Sequence, residues 1–135
     1  MAFKTRDNCT PDEAILYLQD YFATVDLVSD ALSKYESLAS DASTAETRSI
    51  FRARALEAER DLELLKNKRR AFLNGQGAIE PPSAQTVTEA ENRAKELSAI
   101  MAKAAKAKAI FDLTAKGLDA FNKLSATVTG KPAAS

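Results

Sequence analysis

Glycine and proline, four of each in 135 residues, are concentrated at positions 75–82 and in the C-terminal tail. The rest is dominated by Ala, Leu, Lys and Glu, which lose little side-chain freedom in a helix. Together these features predict an all-α chain. Its length is that of one domain, enough to bury a core without disulfides or metal.

Helix boundaries can be read from cap residues. In "TPDE" at 10–13, Thr10 is placed to cap, Pro11 takes the first helical position, and Glu13 completes a capping box. Apolar residues follow at Ile15, Leu18, Phe22, Val25, Leu32 and Tyr35, defining a buried face for a helix that runs to about residue 39 or 40. Leu16, Ala23, Leu27, Ala31 and Leu38 flank that face, and Tyr17, Tyr21 and Val28 broaden its other side. A stripe this wide implies more than one neighbouring helix.

Ser43 with Glu46 reads as a second capping box. The helix after it carries a heptad seam of Phe51, Ala55, Ala58, Leu62, Leu65, Arg69 and Phe72. Arg69 alone interrupts the seam, its stem expected to cover apolar surface while the guanidinium reaches water or a carboxylate of the first helix. "NGQGAIEPPS" ends the helix and reads as a loop between antiparallel neighbours. Ser83 or Thr86, the latter with Glu89, caps a third helix reaching about residue 126, and "TGKPAAS" is expected to fray. The expected organisation is an N-terminal extension at 1–9, a helical domain at 10–128 and a flexible tail at 129–135.

The run "AIMAKAAKAKAI" at 99–110 poses a choice between a basic surface and a packing segment. Wound at about 100° per residue, Lys108 falls nearly opposite Lys103 and Lys106, so no basic stripe forms. Nor does the run carry the Trp, Phe or Leu face of a membrane-surface helix. Two apolar seams meet in it instead: Val87, Ala90, Ala94, Leu97, Met101 and Ala104, then Ile100, Ala104, Ala107, Phe111, Leu118 and Phe121. Small side chains there would let a neighbour approach while the helix changes the face it buries.

The expected architecture is therefore an elongated antiparallel three-helix bundle with coiled-coil-like packing. Its third helix would be the longest, at roughly 65 Å against roughly 45–48 Å, unless it bends or breaks near Gly117 and folds back. Phe111, Leu113, Leu118, Phe121 and Leu124 occupy the surplus length. They are the candidate partner-binding residues, to be covered by a protein partner, a second copy or a fold-back.

Formal charge balances over the whole chain, without the excess expected of a dedicated nucleic-acid or membrane binder. It is unevenly divided: residues 10–41 hold seven acids and one base, 42–74 eight bases and five acids, and 83–128 seven bases and five acids. An acidic first helix beside basic neighbours would help specify pairing, with exposed ion pairs contributing only about 0–1 kcal/mol each. Glu89 with Arg93, Glu91 with Lys95, Asp112 with Lys116 and Asp119 with Lys123 have the favourable acid-before-base spacing of a solvated face.

The absence of histidine removes catalytic triads and His-bearing metal sites. The single Cys9 can form neither an internal disulfide nor a thiolate cluster, and fits a reducing cytosol. Asp26 with Asp30, and Glu59 with Glu63, have the one-turn spacing that a magnesium-dependent enzyme acting on phosphates would need. "KNKRR" at 66–70 is the nucleic-acid candidate, though positive charge at a helix C-terminus is favoured without any ligand. Neither a signal peptide nor a membrane span is expected.

These readings point to a non-enzymatic, cytoplasmic protein-interaction module without cofactor or metal: an adaptor, chaperone, neutralising partner or assembly factor. Its partners would be a protein or further copies of itself, with nucleic acid and membrane disfavoured. By size and architecture the chain resembles small bacterial helical bundles of that kind, an analogy of shape alone.

Overall fold

The structure, a computed structural model, describes residues 3–101 and 107–125. Four α-helices account for most of the described residues: α1 Pro11–Asp41, α2 Ala45–Leu73, α3 Ala84–Met101 and α4 Ala107–Asn122. The chain is all-helical, but the expected third helix is two. Gly117 lies near Leu27 and the Arg93 side chain, 24 positions back along the chain. An unbroken rod would hold residues 93 and 117 about 36 Å apart, so α4 folds back along α3. Helix α3 ends at Met101 and α4 begins at Ala107, and Gly117, the expected break, sits inside α4. The expected exchange of seams at Ala104 and the frayed tail both lie outside the described residues.

Helix α1 is the hub and packs against each of the other three, while α3 also packs directly on α4. Its buried arc is wide because Tyr17, Tyr21, Thr24, Val28, Ala31 and Tyr35 face inward, with Asp20, Ala23 and Leu27 turned to one side. Ile15 and Phe22, expected in the core, are 52% and 54% exposed on its outer surface. Tyrosines hold the inner face instead: Tyr17 stacks on Phe121 at 5.5 Å and tilts against Phe72 at 4.8 Å. The α2 seam is in place, with Ala55, Ala58, Leu65 and Phe72 buried and Phe51 and Leu62 packed against the core.

The caps fix the boundaries. Thr10 accepts from the Glu13 amide at 3.1 Å while Glu13 Oε1 accepts from the Thr10 amide at 2.9 Å. Helix α2 is capped by Thr44 one residue beyond the expected Ser43, its hydroxyl accepting from Thr47 N at 3.1 Å. Ser83 caps α3 through the Thr86 amide at 3.0 Å. Gly75, with φ of +76°, takes the left-handed turn after α2, which a residue with a Cβ adopts only at a cost.

The α2–α3 connection joins helices separated by α1 and crosses the bundle end, so they are not the neighbours the sequence suggested. There Ile79, fully buried, exchanges backbone hydrogen bonds with Lys4 (2.7 and 2.9 Å), and Glu80 N donates to Leu124 O at 2.6 Å. This clasp ties both ends of the described chain to the loop. Lys4 adds an ion pair to Glu13 at 2.9 Å.

Candidate functional site

Helices α2 and α4 run the same way along α1, and long side chains span the gap between them. Arg54 lays its guanidinium 3.9 Å over the Phe111 ring, and Lys68 Nζ donates to Asn122 Oδ1 at 2.7 Å. Between these struts lies a cleft of about 310 Å³ lined by Tyr35, Glu57, Ala58, Asp61, Thr114, Leu118 and Asp119 among others. Beyond the Tyr35, Arg54 and Phe111 crossing, a second hollow of about 210 Å³ is lined by Ile50, Phe51, Ala107 and Lys108.

The cleft wall is mainly apolar, with polar groups set into it. Tyr35 is 3% exposed, and its hydroxyl is buried with no hydrogen-bond partner among the described residues. Burial pushes the phenol above its ordinary pKa, opposed by Arg54 and reinforced by Glu57 and Asp112. Tyr35 lines the α2–α4 cleft. Asp61, half-buried, is likewise pushed up by burial and then by neighbouring Glu57. Burial lowers the Lys68 ammonium at the far strut.

The five sequence candidates divide between this cleft and the core. Phe111 is 39% exposed on the rim and Leu118 lines the cleft. Leu113, Phe121 and Leu124 are buried in the chain's own core. Phe121 packs against the α1 tyrosines, and Leu113 shares a cluster with Leu27, Leu97 and Ile110. Tyr35, Arg54 and Asp61 join the site unannounced, since nothing in their local sequence marks them.

The other candidate groups lie apart from the cleft. Asp26 is exposed in a separate groove with Phe22, Glu91 and Lys95, whereas Asp30 accepts from Ser98 at 3.4 Å. Glu59 and Glu63 are exposed on α2, and among the described residues no three acidic or thiol groups converge as a cation would require. Of the basic run, Lys68 is held by Asn122 and Arg70 by Asn67 at 2.9 Å. Arg69 does not reach a carboxylate of α1 among the described residues. Its guanidinium lies 5.2 Å over the Tyr21 ring and its Nε is buried without a partner.

Burial raises the Cys9 thiol, and Glu13 adds to the shift, so the protonated form is favoured. Among the described residues, four side-chain ion pairs form and none joins two of the main helices. Of the acid-before-base pairs, Asp119–Lys123 closes at 3.5 Å, while Asp112 takes Lys108 at 2.7 Å in the opposite order. No described helix is long and apolar enough to cross a membrane. No protein-family model matches the chain, and no curated protein or solved structure is significantly similar to it.

Proposed function

We propose that this chain is a non-enzymatic protein-interaction module of a reducing cytoplasm, an adaptor or assembly factor type of bundle, and that the α2–α4 cleft is its docking surface. The observation carrying this reading is Phe111, an aromatic side chain held on the cleft rim by a guanidinium and left 39% exposed. Aromatic and arginine side chains at the mouth of a cleft are the residues on which protein interfaces concentrate their energy. Leu118 continues the apolar wall, whereas Leu113, Phe121 and Leu124 seat α4 on α1 and so position the rim. The occupant is a protein, either a partner or a further copy.

Sedimentation over a wide concentration range, with quantitative crosslinking in extract of the source cells, tests this. Phe111→Asp should abolish self-association, or the wild-type crosslinks, while leaving the unfolding temperature nearly unchanged. A monomer whose crosslinks are indifferent to residue 111 would refute it.

A further inference from the structure

Resting on that interaction reading, we infer that the acidic half of the cleft is a seat for a lysine or arginine side chain carried by a helix of the partner. Hydrogen-bonding supply and demand there are unequal. Asp61 is half-buried and makes neither a hydrogen bond nor an ion pair among the described residues. The Tyr35 hydroxyl is also without a partner. No nearby donor reaches either group among the described residues: Arg54 gives an N–H to Glu57 at 3.3 Å and lies over the face of Phe111, and Thr114 donates to the Ile110 carbonyl at 2.8 Å. A buried polar group without a partner is costly, and a desolvated carboxylate more so. An ammonium brings three donors and a guanidinium five, with the positive partner charge that Asp61 is without.

Charge and size agree with this occupant. Of the cleft carboxylates, Glu57 is answered by Arg54 at 3.3 Å and Asp119 by Lys123 at 3.5 Å, whereas Asp61 has no ion-pair partner among the described residues. A space of about 310 Å³ is at the low end for a cofactor pocket, and its open, slot-like setting between two helices suits a long side chain entering from above.

The partner's register also follows. The apolar hollow takes Ile50, Phe51 and Arg54 from α2, and the acidic one Arg54, Glu57, Ala58 and Asp61. Ile50 in the first and Glu57 in the second, like Arg54 and Asp61, lie seven residues apart on α2, about 10.5 Å along its axis. A helix lying in the cleft would therefore carry an apolar anchor and a base two turns apart.

The test uses the whole protein and three synthetic helical peptides with leucine seven residues from lysine, glutamate or a second leucine. Peptide fluorescence anisotropy gives affinity, and NMR shifts of the Tyr35 and Phe111 rings give location. The lysine peptide should bind at the cleft, about tenfold or more weaker to Asp61→Asn, as for loss of a charged hydrogen bond, and weaker to Tyr35→Phe. Asp61→Lys should reverse the preference toward the glutamate peptide, with Glu59→Gln as the outer-face control.

Equal binding of all three peptides, lost in Phe111→Ala, would overturn the cation seat while leaving the docking cleft standing. Lysine-peptide binding that spares the Tyr35 and Phe111 resonances, or that ignores Asp61→Asn, would overturn the seat. So would no binding at all. Circular dichroism of each variant checks folding, and loss of fold in Asp61→Asn transfers the decision to Tyr35→Phe.

Discussion

Asp20 is 2% exposed on the α3-facing side of α1. Burial drives its carboxyl up to about 6, resisted by the Thr24 hydroxyl and by Arg93 and aggravated by Glu91. Thr24 donates to the Asp20 carbonyl at 2.9 Å and reaches Oδ1 at 3.3 Å, and no ion pair closes on the carboxylate among the described residues. A folded-state pKa above the unfolded one means that the native state holds this proton more tightly. The contribution of the group is therefore most favourable below about pH 4. It is lost as pH rises to about 6, and the destabilisation is complete above that.

From 3.8 to about 6 is roughly two units, and 1.36 kcal/mol per unit sets a ceiling of about 3 kcal/mol at neutral pH. Relaxation around the charge brings the expectation to about 1–3 kcal/mol. Asp20→Asn keeps an oxygen for Thr24 and removes the titration. It should raise stability at pH 7.5 by that amount, about 3–10 °C in a domain of this size, and by nearly nothing at pH 4. Paired thermal melts across that range give the difference directly, since groups common to both proteins cancel. An Asn variant no more stable than wild type at pH 7.5, or one equally stabilised at pH 4 and pH 7.5, would refute the reasoning. Arg93→Gln removes the opposing cation and should enlarge the Asn effect.

Three other perturbations have definite signs. In Gly117→Ala the new Cβ would overlap Leu27 Cδ2 in a fully buried contact. Overpacking of about 1–3 kcal/mol should then match or exceed the helix-propensity gain of about 1 kcal/mol, and urea unfolding should show no stabilisation. Phe121→Ala removes a fully buried ring between Tyr17 and Tyr21 and should cost about 3–5 kcal/mol. Phe111→Ala on the rim should cost under about 1 kcal/mol in the same assay. Ile79→Ala empties the centre of the clasp, and hydrogen exchange should show Lys4 and Glu80 amides losing protection ahead of the helices.

Where apolar residues alone define a face, the sequence was sufficient. The α2 seam from Phe51 to Phe72 and the Thr10–Glu13 box can be read directly because each rests on local spacing. On α1 the same logic selects Ile15 and Phe22, whereas tyrosines and Thr24 fill the interior, their polar atoms tolerated inside the bundle. On α4 the inward stripe runs Ile110, Leu113, Thr114, Gly117 and Phe121. Threonine and glycine at its centre drew the expected seam one position aside, onto Phe111 and Leu118. The division of the expected third helix into α3 and α4 is hidden for a related reason: residues 99–110 contain neither glycine nor proline, and most of them favour continuing a helix. The surplus length and the change of seam were its only traces.

Nothing local could have announced the cleft, because its width is set by what happens on the other side of α4. Gly117 presents no side chain toward Leu27, whose Cδ2 a Cβ would overlap, so α4 lies close against α1 at this point, with α3 packed alongside. On its α2 side stand Phe111, Leu118 and Asn122, met by Arg54 and Lys68, and a helix already seated on α1 cannot close that distance as well. The same placement leaves Tyr35 beneath the gap, buried by its neighbours but without a partner for its hydroxyl. A close α1–α4 approach at Gly117 and an open α2–α4 cleft thus stand on two faces of the same helix.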